Sequence, residues 1–286
     1  MTQKISVLLT CHNRKDKTLS CLTSLYNCII PEGYAFDVYL VDDGSSDGTS
    51  IAVKKKNPKV NILYGGGDLY WAGGMRLAWS EALKHNYDGY LLLNDDTILY
   101  PFALEELLNT HNYSLENYKK GGIYVGTTND PDTDEYTYGG QKIVNKITGK
   151  SIVVKPQNEM IQPCDIANGN ILYVSKNVIE TIGILSDKYT HLLADFAYTL
   201  TASKQGIPVL VCSNYCGSCV NDHRKNWISK DYSLSERIKY LKNPKHLAYN
   251  EYLFYIWSHF PLYWPSAFLK LWAKTLFPSI WDKFKN

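Results

Sequence analysis

Four short apolar runs constrain this chain most. ISVLLTC (5–11), FDVYLVDD (36–43), VNILYGG (60–66) and YLLLNDD (90–96) each stop on polar residues, and each is followed by helical spacing: residues 18–26, those after Asp47, 73–85 and 101–111. Strands that read as unbroken apolar runs, joined by crossover helices, imply a parallel sheet covered on both faces. In such sheets ligands bind beyond the carboxyl ends of the strands, near a switch in strand order. The polar ends TCHNR, DDGSSDG, GGGD and NDD are therefore expected on one rim.

The last of these poses a physical problem. Asp95 and Asp96 are adjacent carboxylates directly after a run as apolar as YLLL. Two neighbouring anions repel, and removing either from water is costly unless positive charge offsets it. The sequence should contain a reason for that arrangement.

After Gly121 the rhythm changes. A strand-like GGIYVGT, a polar loop NDPDTDEY and hairpins through residues 136–154 precede helical patterns at 175–182 and 193–205 and a strand, PVLVCS. From Asn226 onward the pattern is helical, with Ser233 and Glu236 spaced as a capping box.

At 286 residues, the chain suits one large domain or one domain with an appendage. Lys and Arg number 19 against 24 acids up to His223 and 11 against 4 after it, so −5 and +7, and the later part holds five of the seven tryptophans. The start, MTQKISVLLTCHNR, lacks the long apolar stretch of a secretory signal, and no segment supplies the roughly 20 apolar residues of a membrane span. Seven scattered cysteines argue against a disulfide framework and for a reducing cytoplasm. Only the basic tail would support nucleic-acid binding, and no nucleic-acid partner is expected.

DDGSSDGT (42–49) reads as a strand ending in two acids, then a turn opening a helix whose free backbone donors suit a polar ligand. An ordinary helix cap uses the same residues. In CSNYCGSCVNDH, Cys212, Cys216, Cys219 and His223 have the chemistry of zinc ligands, but short Cys spacing within one loop rarely closes a tetrahedron, so buried or semi-buried thiols are the preferred reading and zinc the alternative. WPSAFLKLWAKTLFPSIWDKFK places Phe268, Leu271, Trp272 and Leu276 on one stripe. Such a Lys-bearing helix can lie on a membrane surface, the preferred reading, or pack as a terminal core helix, or form a homodimer contact.

The motifs in series resemble the large inverting glycosyltransferase family two, with the GT-A fold: LLTCHNR, DDGSSDGT, GGGDLYWAGGMRLAW, NDD, NGNILYVSKNVIETIGILSD and LADFAYTLTASKQG, in order over residues 4–223. Bacterial rhamnosyltransferase-like members are closest in texture. The resemblance implies an α/β fold with a mostly parallel, Rossmann-like central sheet. It divides the chain into a GT-A domain at 1–225, with a nucleotide half to about residue 120 and an acceptor half beyond, and a helical aromatic and basic extension at 226–286.

It also implies roles. Thr10, His12 and Asn13 line the base of a sugar nucleotide, Asp43 accepts a hydrogen bond from a uracil or thymine ring, and Asp68 closes the nucleoside pocket. Arg76 stands near the diphosphate, and Asp95 reaches the ribose. Asp96 holds a divalent manganese or magnesium ion, with His223 as a further metal or diphosphate contact. Trp71, Asn168 and Gly169 shape the sugar pocket. Asp195 is the general base; the family usually has Glu-Asp here, and this chain has Ala194-Asp195.

The expected activity is transfer of a sugar, with inversion, from a UDP- or dTDP-linked donor to a hydroxyl of a glycan or lipid-linked glycan in bacterial surface polysaccharide synthesis. The expected place is the cytoplasm, peripherally at the inner face of the membrane. A sugar nucleotidyltransferase is the alternative enzyme, although TCHNRKDKT lacks the glycines of its phosphate loop. A degenerate glycan-binding module is the alternative outside enzymes.

Overall fold

A computed structural model describes residues 2–157, 159–221 and 231–279. Its first half is β1 (Gln3–Cys11), α1 (Lys15–Tyr26), β2 (Tyr34–Asp42), α2 (Thr49–Lys56), β3 (Asn61–Tyr64), α3 (Tyr70–Ala82) and β4 (Gly89–Leu93). The four apolar runs are thus the four strands. β1 pairs in parallel with β2 and β4, and β2 in parallel with β3.

Then follow β5 (Ile98–Leu99), α4 (Ala103–Tyr118), β6 (Ile123–Asn129), β7 (Tyr136–Tyr138), β8 (Gly140–Ile143), β9 (Ser151–Val154), β10 (Gln162–Pro163), β11 (Ile166–Ala167), β12 (Ile171–Ser175), α5 (Lys176–Ile182), α6 (Ala194–Lys204) and β13 (Val209–Ser218). The main sheet runs β10-β13-β6-β12-β4-β1-β2-β3, and β8 joins β9 and β11 in a small second sheet. β12 lies antiparallel between β4 and β6, while β13 is again parallel to β6. From β1 the chain steps to β2 and β3 on one side and returns to β4 on the other. The switch in strand order therefore falls between β1 and β4, where Arg14 and the two acids of NDD emerge.

The unbroken apolar runs have a direct cause, because successive residues of each strand enter opposite cores. Val7, Leu9, Leu40, Leu91 and Leu93 pack beneath α1, α2 and α4. Leu8, Val41 and Leu92 pack beneath α3 and α6 with Met75, Trp79 and Tyr198. Burial of a Leu side chain is worth roughly 1.5–3 kcal/mol, so both faces must be apolar for the sheet to hold.

The C-terminal helices are α7 (Leu234–Lys242), α8 (Tyr249–His259) and α9 (Trp264–Leu276), with a 3-10 turn at Pro261–Tyr263. Ser233 and Glu236 form the capping box their spacing predicts, Ser233 N donating to Glu236 Oε2 at 2.8 Å. Leu253, Ile256, Ala267 and Leu271 join the same core as Leu8 and Trp79. The α9 stripe is rotated from its expected position: Ala267, Leu271 and Thr275 face inward, Phe268 and Trp272 are half-buried, and Leu276 is exposed. Small residues let α9 approach its neighbours, leaving Leu262 (79% exposed) and Leu269 (65%) on the outer face. Among the described residues no helix is long and apolar enough to cross a membrane.

Candidate active site

The ends of β1 and β2 are stitched into one rigid rim. His12 Nδ1–H donates to the carbonyl oxygen of Asp43 at 2.6 Å, and Asn13 Nδ2 donates to His12 Nε2 at 3.1 Å. Asn13, at φ 52°, accepts from Ser46 N at 2.8 Å, while its own N–H donates to Ser45 Oγ at 2.9 Å. Asp42 Oδ1 closes the turn by accepting from Ser45 N at 2.9 Å. The polar residues of DDGSSDGT and TCHNR are therefore a preformed frame and not two separate caps.

Asp43 is buried and binds the glycine-rich segment after β3. Its Oδ1 accepts from Gly67 N at 2.7 Å, and its Oδ2 from Leu69 N at 3.0 Å and Tyr70 N at 3.2 Å. Three N–H donors satisfy a carboxylate that burial would otherwise penalise. Asp68, beside them, is exposed. Thr10 lies against Gly74 of α3, where a Cβ would collide with the Thr10 side chain.

The charge that offsets the acid pair comes from the start of α1. Arg14 Nη1 donates to Asp95 Oδ1 at 3.1 Å and to Asp96 Oδ2 at 2.8 Å, and Lys17 Nζ stands 3.9 Å from Asp96 Oδ2. Thr18 Oγ1 adds a hydrogen bond to Asp95 Oδ2 at 3.3 Å. Burial still pushes the Asp95 carboxyl up to about 6, with the Asp96 charge acting in the same direction and Arg14 opposing it. The Cys219 thiol faces Asp96 Oδ1 at 3.8 Å.

Across the rim, Trp71 ties this centre to the residue expected to act as base. Its Nε1 donates to Asn94 Oδ1 at 2.7 Å, and its ring covers Gly169, where any Cβ would strike the indole. Gly169 N donates to Asp195 Oδ2 at 2.9 Å, and Phe196 N to Asp195 Oδ1 at 2.8 Å, which orients the carboxylate in the first turn of α6. Asn168 Oδ1 accepts from Gly139 N at 3.3 Å, bracing the loop before β8. Arg76, expected near the diphosphate, donates to the carbonyls of Ser186 at 2.9 Å and Tyr189 at 2.7 Å, fastening the loop that leads to α6.

Residues 6–159 match the profile of Glycosyl transferase family 2. The chain belongs to that family. Among solved structures, a mannosyltransferase from Pyrobaculum calidifontis in complex with GDP-Man and Mn2+ superposes with a TM-score of 0.55 at 13% identity, covering 98% of this chain and 72% of that one. TarS 1-349 of S. aureus in complex with UDP gives 0.54 at 14% identity, covering 76% of this chain and 60% of that one. A second structure of TarS 1-349 gives 0.54 at 15% identity, with 90% and 72% covered. These similarities establish the GT-A fold. No curated protein matches the sequence.

For a family 2 enzyme, the chemistry of Asp96 suits a divalent ion. Magnesium and manganese take hard oxygen ligands, commonly one or two carboxylates completed by substrate phosphates and water. The half-buried Asp96 carboxylate at the rim offers such an oxygen, now engaged by Arg14. Among the described residues no three His, Cys, Asp or Glu side chains gather as a self-sufficient metal site. Cys212 and Cys216 are buried, with Cys212 against Thr110 at 3.3 Å, while Cys219 faces Asp96. The zinc reading thus finds no support among them; His223 lies outside the described residues.

Proposed function

We propose that this family 2 glycosyltransferase moves a sugar, with inversion, from a nucleoside diphosphate donor to a hydroxyl of a glycan or lipid-linked glycan, in bacterial surface polysaccharide synthesis at the cytoplasmic side of the membrane. One observation carries the reading: Trp71 joins the acid pair, through Asn94, to Gly169 and the Asp195 carboxylate. A donor-side anion centre and a base candidate thus share one wall.

The rim of Thr10, His12 and Asn13 binds the nucleoside, aided by Asp43 and Asp68, and Asp95 binds the ribose. Asp96, with His223 contributing, would hold a divalent ion, which would supply charge neutralisation for the departing diphosphate. Asp195 takes the proton of the acceptor hydroxyl as its oxygen bonds to the anomeric carbon. The anomeric C–O bond breaks on the opposite face, and its electron pair leaves with the diphosphate. A single displacement inverts the centre, by the geometric logic that separates inverting from retaining glycosidases. Uridine or thymidine is the expected nucleoside. Two of the similar solved structures carry GDP-Man and UDP, which supports a sugar-nucleotide donor without choosing its base or sugar.

A lipid-linked acceptor draws support from a cavity of about 490 Å³ between the α6 approach and the C-terminal helices. Leu193, Leu247 and Leu271 line it, Lys270 and Lys274 stand at its edge, and Leu193 lies two residues before Asp195. An apolar groove with cationic edges suits an amphiphile with an anionic linker. The test is a transfer screen with UDP-, dTDP- and GDP-linked sugars in manganese and in excess chelator. A metal-dependent winner supports the reading; hydrolysis or transfer with none of them contradicts it.

A further inference from the structure

Arg14 makes both of its protein hydrogen bonds through one nitrogen. Nη1 serves Asp95 and Asp96, while neither Nη2 nor Nε is used by any protein partner among the described residues. The Arg14 side chain is 39% exposed, whereas the two carboxylates beneath it are 7% and 14% exposed. It is therefore the more exposed partner of a buried anion pair, with donors that no protein group among the described residues uses. Its backbone follows His12 and Asn13, which bind the DDGSSDGT frame, so it stands between the nucleoside rim and the acid pair.

The electrostatics require a change of partner. A nucleoside diphosphate cannot approach Asp95 and Asp96 without added positive charge, and a divalent ion on Asp96 cannot share Oδ2 comfortably with a guanidinium 2.8 Å away. A guanidinium forks onto phosphate as well as onto carboxylate, and Lys17 adds a second cation at the same edge.

Resting on the glycosyltransferase reading, we propose that Arg14 is a diphosphate-binding residue that doubles as the internal counter-ion of the acid pair. Without donor it neutralises Asp95 and Asp96. When the donor binds, its free edge engages the diphosphate oxygens and Asp96 is released to the divalent ion. Arg14 thus opposes the metal alone and favours the nucleotide, so metal and nucleotide bind with positive coupling.

The test compares wild type with Arg14→Gln in two titrations, neither of which reads turnover. Mn2+ alone is followed by the relaxation of water protons; UDP, dTDP and GDP are followed by calorimetry in the presence of Mn2+. Removing the competing cation should tighten Mn2+ alone by about 3–10-fold, and losing the charged donor should weaken the preferred nucleoside diphosphate by about 10-fold or more. If Arg14→Gln does not fold, Arg14→Lys, which keeps the charge and loses the fork, is read by the same titrations and should weaken the nucleotide by several-fold. Unchanged or weaker Mn2+ binding in Arg14→Gln, or unchanged nucleotide affinity in either variant, overturns the proposal. Wild type that binds none of the three nucleotides overturns the glycosyltransferase reading as well.

Discussion

The indole Nε1 of Trp71 donates to Asn94 Oδ1 at 2.7 Å, and the same ring covers Gly169, whose N–H holds Asp195. One side chain thus sets the position of the donor centre relative to the base. Gly169→Ala should break this arrangement, because the new Cβ collides with the indole. Overpacking of this kind costs about 1–3 kcal/mol. We expect a lower Tm and more than a tenfold loss of transfer with nucleotide affinity nearly kept. Unchanged kcat in this variant would show that the Trp71 wall does not set the reaction geometry.

Asp43→Ala should do more than remove a contact to the base. It leaves the N–H groups of Gly67, Leu69 and Tyr70 without their acceptor. Each orphaned buried donor costs about 1–3 kcal/mol unless water reaches it. The prediction is a joint loss of stability and nucleotide affinity, followed by thermal melts and calorimetry. Normal nucleotide affinity in a folded variant would remove Asp43 and its loop from the donor site.

His259 supplies a pH dependence outside the active site. Burial between α8 and α6, with the Lys204 charge acting in the same direction, pushes its imidazole down to about 4, while the unfolded value is near 6.5. The neutral form is therefore favoured in the fold. Its contribution is present above about pH 6.5 and is lost as pH falls toward 4, amounting to about 1–2 kcal/mol after allowance for solvent screening. Tm measured from pH 7 to 4 should fall less steeply in His259→Phe than in wild type. Parallel curves would contradict this.

The outer face of α9 gives a test of membrane contact that spares the core. Truncating the helix would remove Ala267 and Leu271 from the packed interior, so a surface change is cleaner. Leu269→Glu should leave Tm within about 1–2 °C, since exposed substitutions rarely matter to stability, and should release the protein from anionic vesicles. Co-sedimentation equal to wild type would leave the face without a membrane role.

The nucleotide half was legible because its signals are local. Apolar runs ending in Gly, Asp and Asn punctuate β1 to β4, and the capping box at Ser233 lies within one turn. Contacts formed across the fold were not legible. Arg14 meets Asp95 and Asp96 from 81 and 82 residues away, and in TCHNRKDKT it reads only as a basic residue before a helix. The basic cluster beside the first strand end was the available signal. Cys219 lies just past the end of β13 and faces Asp96 from 123 residues away, a contact that the spacing of CSNYCGSC does not signal. The α9 stripe was misplaced because Ala267 and Thr275, which periodicity ranks low, permit the closest approach.

The central claim is that Asp195 removes the acceptor proton, and Asp195→Asn tests it most directly. The amide keeps an oxygen to accept from Gly169 N but takes no proton at neutral pH. Single-turnover transfer with saturating donor should fall by about 10²–10⁴-fold, the usual contribution of a general base, while calorimetry of the nucleotide stays at wild-type affinity. A helix-cap role predicts otherwise, since Asn caps as well as Asp. Transfer within a few-fold of wild type would contradict the account and direct attention to Asp187, or to Asp222 outside the described residues.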